Sequence, residues 1–283
     1  MTQGDYRTGA IEVAPGAYAF IQAGGATDAG FLVEEEGVVI IDTLMTPALA
    51  ERLLAEARRV TDKPVRYVVN THWHGDHLFG NALMPEAPIV AHDTCREDLA
   101  TEWDTHRAFL RDLYPAIYEE WRDLPQTPPN LTFSDTLTLH LGERPVELRF
   151  FGRAHTRGDI AVYLPTEGVL FAGDLSFHQY IPNARDGFPL AWADAAERAA
   201  QVECDVVVPG HGPLGTRADM DEMRECLLRI TEQGERSFAE GRSEEEAVAS
   251  LDLGPFAGWG RQEDRLPPLM SRLYRELRGE FAE

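Results

Sequence analysis

The chain has 283 residues, 43% hydrophobic and 26% charged, which suits a soluble globular protein with one large core or two small ones and excludes disorder, collagen-like sequence and a disulfide scaffold. Twenty-six basic against 48 acidic residues leave a net charge of −22, and that acidity repels polyphosphates and sets nucleic acid aside as a partner.

Met1-Thr2-Gln3-Gly4-Asp5 has no basic region leading into an apolar stretch, and no segment reaches the roughly 18 consecutive apolar residues of a membrane span. Neither a signal peptide nor a membrane partner is therefore expected. Cys95, Cys204 and Cys226 lie far apart, odd in number and without C-x-x-C spacing, as reduced thiols in a cytoplasm would.

From Ala17 to Asp42 the pattern predicts a strand meander: Ala17–Ile21, Gly30–Val33, a Glu34–Gly37 turn and Val38–Asp42. Pro47 opens a helix to about Val60, with Leu49, Leu53, Leu54 and Ala57 at helical spacing. The strand Val65–Asn70 then delivers the chain into Thr71-His72-Trp73-His74-Gly75-Asp76-His77. Between His92 and Pro125, apolar and aromatic residues at three- and four-residue steps predict a long helix or helix pair kinked near Pro115. A second block, Asp159–Leu164, a Gly168 turn and Val169–Asp174, repeats the first in outline, and each half closes on an aspartate. A helix from Trp192 to Val202, a strand Asp205–Val208 and the loop Pro209-Gly210-His211-Gly212-Pro213 follow. Beyond Arg217 the chain reads as helical: Met220 to Ile230, an acidic helix from Ser243 and a terminal one to Phe281. Two strand-rich halves interleaved with helices predict an α/β sandwich with helices outside two sheets.

His72-x-His74-x-Asp76-His77 is the strongest chemical signal. In a loop leaving a strand, alternate residues point the same way, so His72 and His74 can grip one ion. Gly75 permits a turn that aims Asp76 and His77 at a second. His155, Asp174 and His211 each follow an apolar strand within small-residue loops, so four loops can converge on one edge. The expected division is His72, His74 and His155 on one ion, Asp76, His77 and His211 on the other, and Asp174 bridging. Imidazole and carboxylate suit Zn²⁺, and also Fe or Mn.

These residues, with Asp42, resemble the metallo-β-lactamase superfamily over roughly Ala17 to Pro213. The resemblance implies an αββα sandwich with a helical insertion at 93–124, a catalytic domain over 1–216 and a C-terminal helical extension over 217–283. Asp42 matches a family aspartate that supports the metal loop without binding the ions. Class B β-lactamases carry Cys or Ser where this chain has Asp174, and flavodiiron proteins have an acid where it has His74. Gly152–Asp159 and Phe171–Leu175 are most similar to the zinc hydrolase subfamily found beside sulfur-oxidation and quinoprotein genes. Glyoxalase II-like thioesterases share the ligand set but hold glutathione with basic residues of a helical domain, and here that region is acidic on balance.

The resemblance implies two zinc ions about 3.5 to 4 Å apart that present a shared hydroxide to a carbonyl, Asp76 orienting the water. Ester, lactone, thioester and amide bonds all qualify. The partners expected are a small, hydrophobic or aromatic substrate and, in a homo-oligomer, copies of the chain. The alternatives are a mononuclear iron persulfide dioxygenase and a metal-binding protein without turnover. His178 and Tyr180, in the loop after Asp174, either reach substrate or bond locally. Trp73 either packs under the loop or meets substrate. Arg153 and Arg157 beside His155 either bind a carboxylate or form salt bridges. Trp103, Tyr114 and Trp121 belong to an aromatic stripe that either fills core or roofs the pocket as a lid.

Overall fold

The computed structural model describes residues 9–281, so Met1–Asp5, read above for a leader, lies outside the described residues. Strands β1 (Ala10–Ala14), β2 (Ala17–Phe20), β3 (Ala29–Val33) and β4 (Val38–Ile41) form an antiparallel meander. Helix α1 (Pro47–Val60) then crosses to β5 (Val65–Val69), which lies parallel to β4. Thr46 caps α1 by accepting from the Leu49 amide, and Pro47 occupies the first turn, where a missing N–H costs nothing. A single helical turn, α2 (Gly75–Leu78), precedes β6 (Ile89–His92), α3 (Asp93–Leu113), the short α4 (Tyr118–Trp121) and β7 (Leu131–Phe133). The helical stretch breaks at Tyr114 because the residue before a proline is pushed out of the helical region. These seven strands make one sheet in chain order.

The second sheet holds five: β8 (Thr136–His140), β9 (Pro145–Phe150), β10 (Ile160–Leu164), β11 (Val169–Phe177) and β12 (Val206–His211), with α5 (Pro189–Ala200) joining the last two. Helices α6 (Arg217–Ala239), α7 (Glu244–Ala249) and α8 (Gln262–Leu277) complete the chain.

Strand alternation builds the layers. Val39 and Ile41 of β4 face inward with Leu32, Val69 and Val90, meeting Leu148, Val162, Leu164 and Phe171 of the other sheet. Their neighbours Val38 and Ile40 face outward under Leu53, Leu54 and Ala57 of α1. On the far side Ala161, Tyr163, Leu170 and Ala172 turn out under Trp192 of α5 and the apolar faces of α6 and α8. Helix, sheet, sheet and helix thus stack in that order, the αββα sandwich that the sequence predicts. Residues of the 217–281 segment share one core with the second sheet. The three cysteines are unpaired. Among the described residues no helix is long and apolar enough to cross a membrane.

Candidate metal centre

The parallel strand pairs bring the chemistry together. β4 and β5 run the same way, as do β11 and β12, so the loops at their C-terminal ends gather at one edge of the sandwich. Asp42 follows β4, His72 and His74 follow β5, and α2 carries Asp76 and His77. His155 lies beyond β9 and His211 ends β12. Asp174 sits inside β11, where the register with β12 slips at Gly173 and that glycine takes φ 53°.

Two trios result. The ligand atoms of His72, His74 and His155 lie within 4.8 Å of one another, and so do those of Asp76, His77 and His211. Asp174 stands between them, with Oδ2 3.1 Å from His155 Nε2 and 3.5 Å from His211 Nε2, and Oδ1 3.1 Å from His77 Nε2. All seven predicted ligands are therefore brought into one cluster.

The other ring nitrogen of each histidine fixes which one faces the cluster. His77 Nδ1 donates to Asp42 Oδ2 at 2.8 Å. His155 Nδ1 donates to the Asn183 carbonyl at 2.6 Å, and His211 Nδ1 to the Gly25 carbonyl at 2.9 Å. His72 Nδ1 lies 3.1 Å from Thr71 Oγ1, which itself donates to Asp42, so the hydroxyl accepts from the ring. His74 is reversed. Its Nε2 donates to Asp186 Oδ2 at 3.0 Å, which leaves Nδ1 facing inward, 2.7 Å from His155 Nε2. Asp76 Oδ2 accepts from the Thr27 hydroxyl at 2.6 Å.

Electrostatics match this arrangement. Burial and neighbouring imidazoles hold His72 and His74 well below the usual histidine range, keeping them neutral as ligands must be. Burial opposes ionisation of Asp174 and Asp76, yet the surrounding imidazoles hold both carboxyls well below the usual carboxylate range. Burial likewise opposes charge on His77, but Asp174, Asp42 and Asp76 hold it well above its ordinary range. The acids thus call for positive charge at this point. His72 Nε2, His77 Nε2 and Asp174 Oδ1 are buried without a hydrogen-bond partner, an expensive state that a cation relieves. The residues fit divalent metal.

The family model described as the metallo-beta-lactamase superfamily matches residues 23–211. The chain belongs to that superfamily. A linear primary-alkylsulfatase of Pseudomonas sp. is 25% identical over 265 residues, 79% of this chain and 50% of that one. A metallo-beta-lactamase type 2 of Bacillus cereus is 27% identical over 187 residues, 64% of this chain and 65% of its own. The chain therefore spans half the length of the first relative and under two thirds of the second. Among solved structures, the stereoselective inverting sec-alkylsulfatase Pisa1 from Pseudomonas sp. superposes with a TM-score of 0.73 at 16% identity, over 97% of this chain and 51% of that one. That likeness concerns the fold, and it takes in the C-terminal helices.

Around this superfamily centre lies a cavity of about 150 Å³ reached by His74, Asp76, Asp174 and His211. Phe109, Leu110, Leu113 and Tyr114 from the end of α3 line it, with Pro268 of α8. Of the weaker sequence candidates, only Tyr114 is in this lining. Trp73 is buried, edge-on to His74 and His106. Trp103 and Trp121 pack against Phe79 beneath the insertion. His178 is buried behind the His211 loop, its Nδ1 donating to the Pro213 carbonyl at 2.9 Å, and Tyr180 packs on Gly25 and Gly260. Arg157 donates to Asp98 Oδ1 at 3.0 Å, and Arg153 lies over Phe188. Trp73, Trp103, Trp121, His178 and Tyr180 are thus placed in packing or local hydrogen bonds and Arg157 in a salt bridge, while Arg153 rests on an aromatic ring.

Trp121→Ala is therefore expected to cost about 3–5 kcal/mol of stability, as large buried aromatics do, without changing substrate preference. Urea unfolding paired with kcat/KM for a short-chain and an aromatic ester checks both halves, and a shifted substrate ratio would return Trp121 to the pocket. Sequence reading missed Asp186, His106 and the Arg185, Arg261 and Arg265 side chains that also line the cavity. His106 accepts from the Gly75 amide at 2.9 Å and stacks on His74 with ring centroids 4.8 Å apart.

Proposed function

We propose that this protein is a metal-dependent hydrolase whose centre holds two ions, zinc in its ordinary state. The carrying observation is the pair of ligand trios sharing Asp174. His72, His74 and His155 would hold one ion, Asp76, His77 and His211 the other, with Asp174 reaching both. Divalent cations in such a pair supply Lewis acidity for the scissile group and make water nucleophilic near neutral pH.

The chain's own residues supply the rest. Asp76, its Oδ2 fixed by Thr27, accepts a hydrogen bond from water at the cavity floor and orients it. Phe109, Leu110, Leu113 and Tyr114 hold the apolar part of a small substrate and exclude bulk water. No serine or cysteine nucleophile is needed. Ester, lactone, thioester and amide bonds suit this chemistry, and the alkylsulfatase relative adds sulfate esters. The motif resemblance to the sulfur-oxidation and quinoprotein-associated zinc hydrolases supports the same reaction class.

Purified protein should carry close to two zinc ions per chain. A chelator should abolish hydrolysis of an activated ester and lower Tm, because ions bound by the folded chain and not by the unfolded one stabilise the fold. Elemental analysis and thermal denaturation check this. One tightly held iron would favour the dioxygenase, and tight metal without turnover of any ester would favour a non-enzymatic metal protein.

A further inference from the structure

Arg261, the left-handed residue that precedes helix α8, and Arg265, in the first turns of α8, both line the cavity that opens on the metal ligands. Arg261 is already committed, since its Nε donates to Asp264 Oδ2 at 2.6 Å. Arg185, from the loop after β11, lies 3.8 Å from the Asp186 carboxylate and over the Phe109 ring. Arg265 differs from both. Only 5% of it is exposed, and among the described residues no carboxylate lies within ion-pairing distance of it. One Nη donates to the Ile181 carbonyl at 2.8 Å, and the guanidinium sits 4.9 Å from the Phe177 ring.

Of the cavity's carboxylates, Asp264 pairs with Arg261 and Asp186 lies by Arg185 and His74, while Asp174 and Asp264 act on Arg265 only through space. Arg265 is thus the buried cation of the cavity without a carboxylate in direct contact, and burying an unpaired guanidinium is costly. Burial and Arg261 already push its pKa down to about 10. Across the cavity the wall is apolar, made by Phe109, Leu110 and Leu113.

We propose that Arg265 receives an anionic group of the substrate, a carboxylate or a sulfate, so that the site selects amphiphilic anions whose chain lies along the α3 wall. A planar guanidinium offers either oxyanion two parallel donors. That the anion belongs to a substrate rests on the hydrolase reading of the same site; that an anion binds at Arg265 does not.

The test uses the zinc-loaded full chain and three unreactive probes of equal chain length, hexane-1-sulfonate, hexanoate and hexan-1-ol, titrated calorimetrically. Both anions are expected to bind at least tenfold more tightly than the alcohol, and the tighter of the two identifies the head group. In Arg265→Gln, with zinc content and Tm checked, that preference should fall at least tenfold. Arg265→Lys, which keeps the charge but loses the paired donors, should fall between. An alcohol bound as tightly as the anions by the unmodified protein would overturn the proposal, as would an unchanged preference in Arg265→Gln, which would assign the anion to the metal ions. If Arg265→Gln does not fold, the wild-type comparison and the lysine variant still decide. Failure of the protein to hydrolyse any ester would sink the hydrolase reading and leave this binding comparison standing.

Discussion

Asp174→Ala is expected to lower the hydrolytic rate about 10³-fold or more, since in the proposed two-metal centre this carboxylate would serve both ions and carry several kcal/mol of the chemistry, each 1.36 kcal/mol being a factor of ten. Asp174 is 3% exposed and approaches His72, His77, His155 and His211 together. Its loss leaves those imidazoles without their common counter-charge while the sandwich core, formed elsewhere, persists. Gly210→Ala should imitate it without replacing a ligand, because a Cβ there would sit 1.9 Å from Asp174 Oδ1 and push that carboxylate aside. Rates are to be compared at equal zinc content, measured by elemental analysis, with circular dichroism to show a folded chain. If Asp174→Ala keeps more than about a tenth of the rate, the two ions do not act together.

How much of this was legible in the sequence depended on whether a residue's local pattern decides its place. The apolar runs Val38–Ile41, Ile160–Leu164 and Val207–Val208 read as strands because they are buried on both faces between sheet and helices. β1, β7 and β8 escaped because they lie at sheet edges, where exposed positions dilute the alternation, and β6 escaped although buried throughout, because a run of four residues is too short to show a period. The seven ligands were legible because metal chemistry restricts residue type and spacing. Asp186 and Arg265 were not, since one aspartate in a loop and one arginine on a charged helix have no distinguishing neighbours. Their roles come from tertiary contacts, with His74 at a sequence distance of 112 residues and with Ile181 at 84. The aromatic stripe was read correctly as amphipathic, but periodicity does not say which aromatic meets core and which meets cavity. Trp121 and Tyr114 divide those roles.

The second large effect is expected at Asp42, which lies outside both ligand trios. Its carboxylate is buried and accepts three hydrogen bonds: from the Thr71 amide at 2.8 Å, the Thr71 hydroxyl at 2.7 Å and His77 Nδ1 at 2.8 Å. Asp42→Ala leaves those donors unsatisfied at about 1–3 kcal/mol each, partly offset if water enters the space. It also places alanine at φ 57°, a left-handed conformation that aspartate tolerates better. A loss of about 3–6 kcal/mol is therefore expected, read as a lower urea midpoint. The metal consequence is asymmetric. His77 loses the bond that turns its Nε2 inward, and His72 loses part of its support because Thr71 no longer has an acceptor for its hydroxyl. His74 and His155 keep Asp186 and the Asn183 carbonyl. The ion that Asp76, His77 and His211 would hold should thus weaken by about 10- to 100-fold, well beyond the other. Asp42→Asn should lose less stability because one amide oxygen still accepts, although its NH₂ meets a donor. Competitive zinc titration of the folded variants separates the two sites: equal weakening of both ions, or of neither, would mean that Asp42 supports the loop's fold without orienting His77.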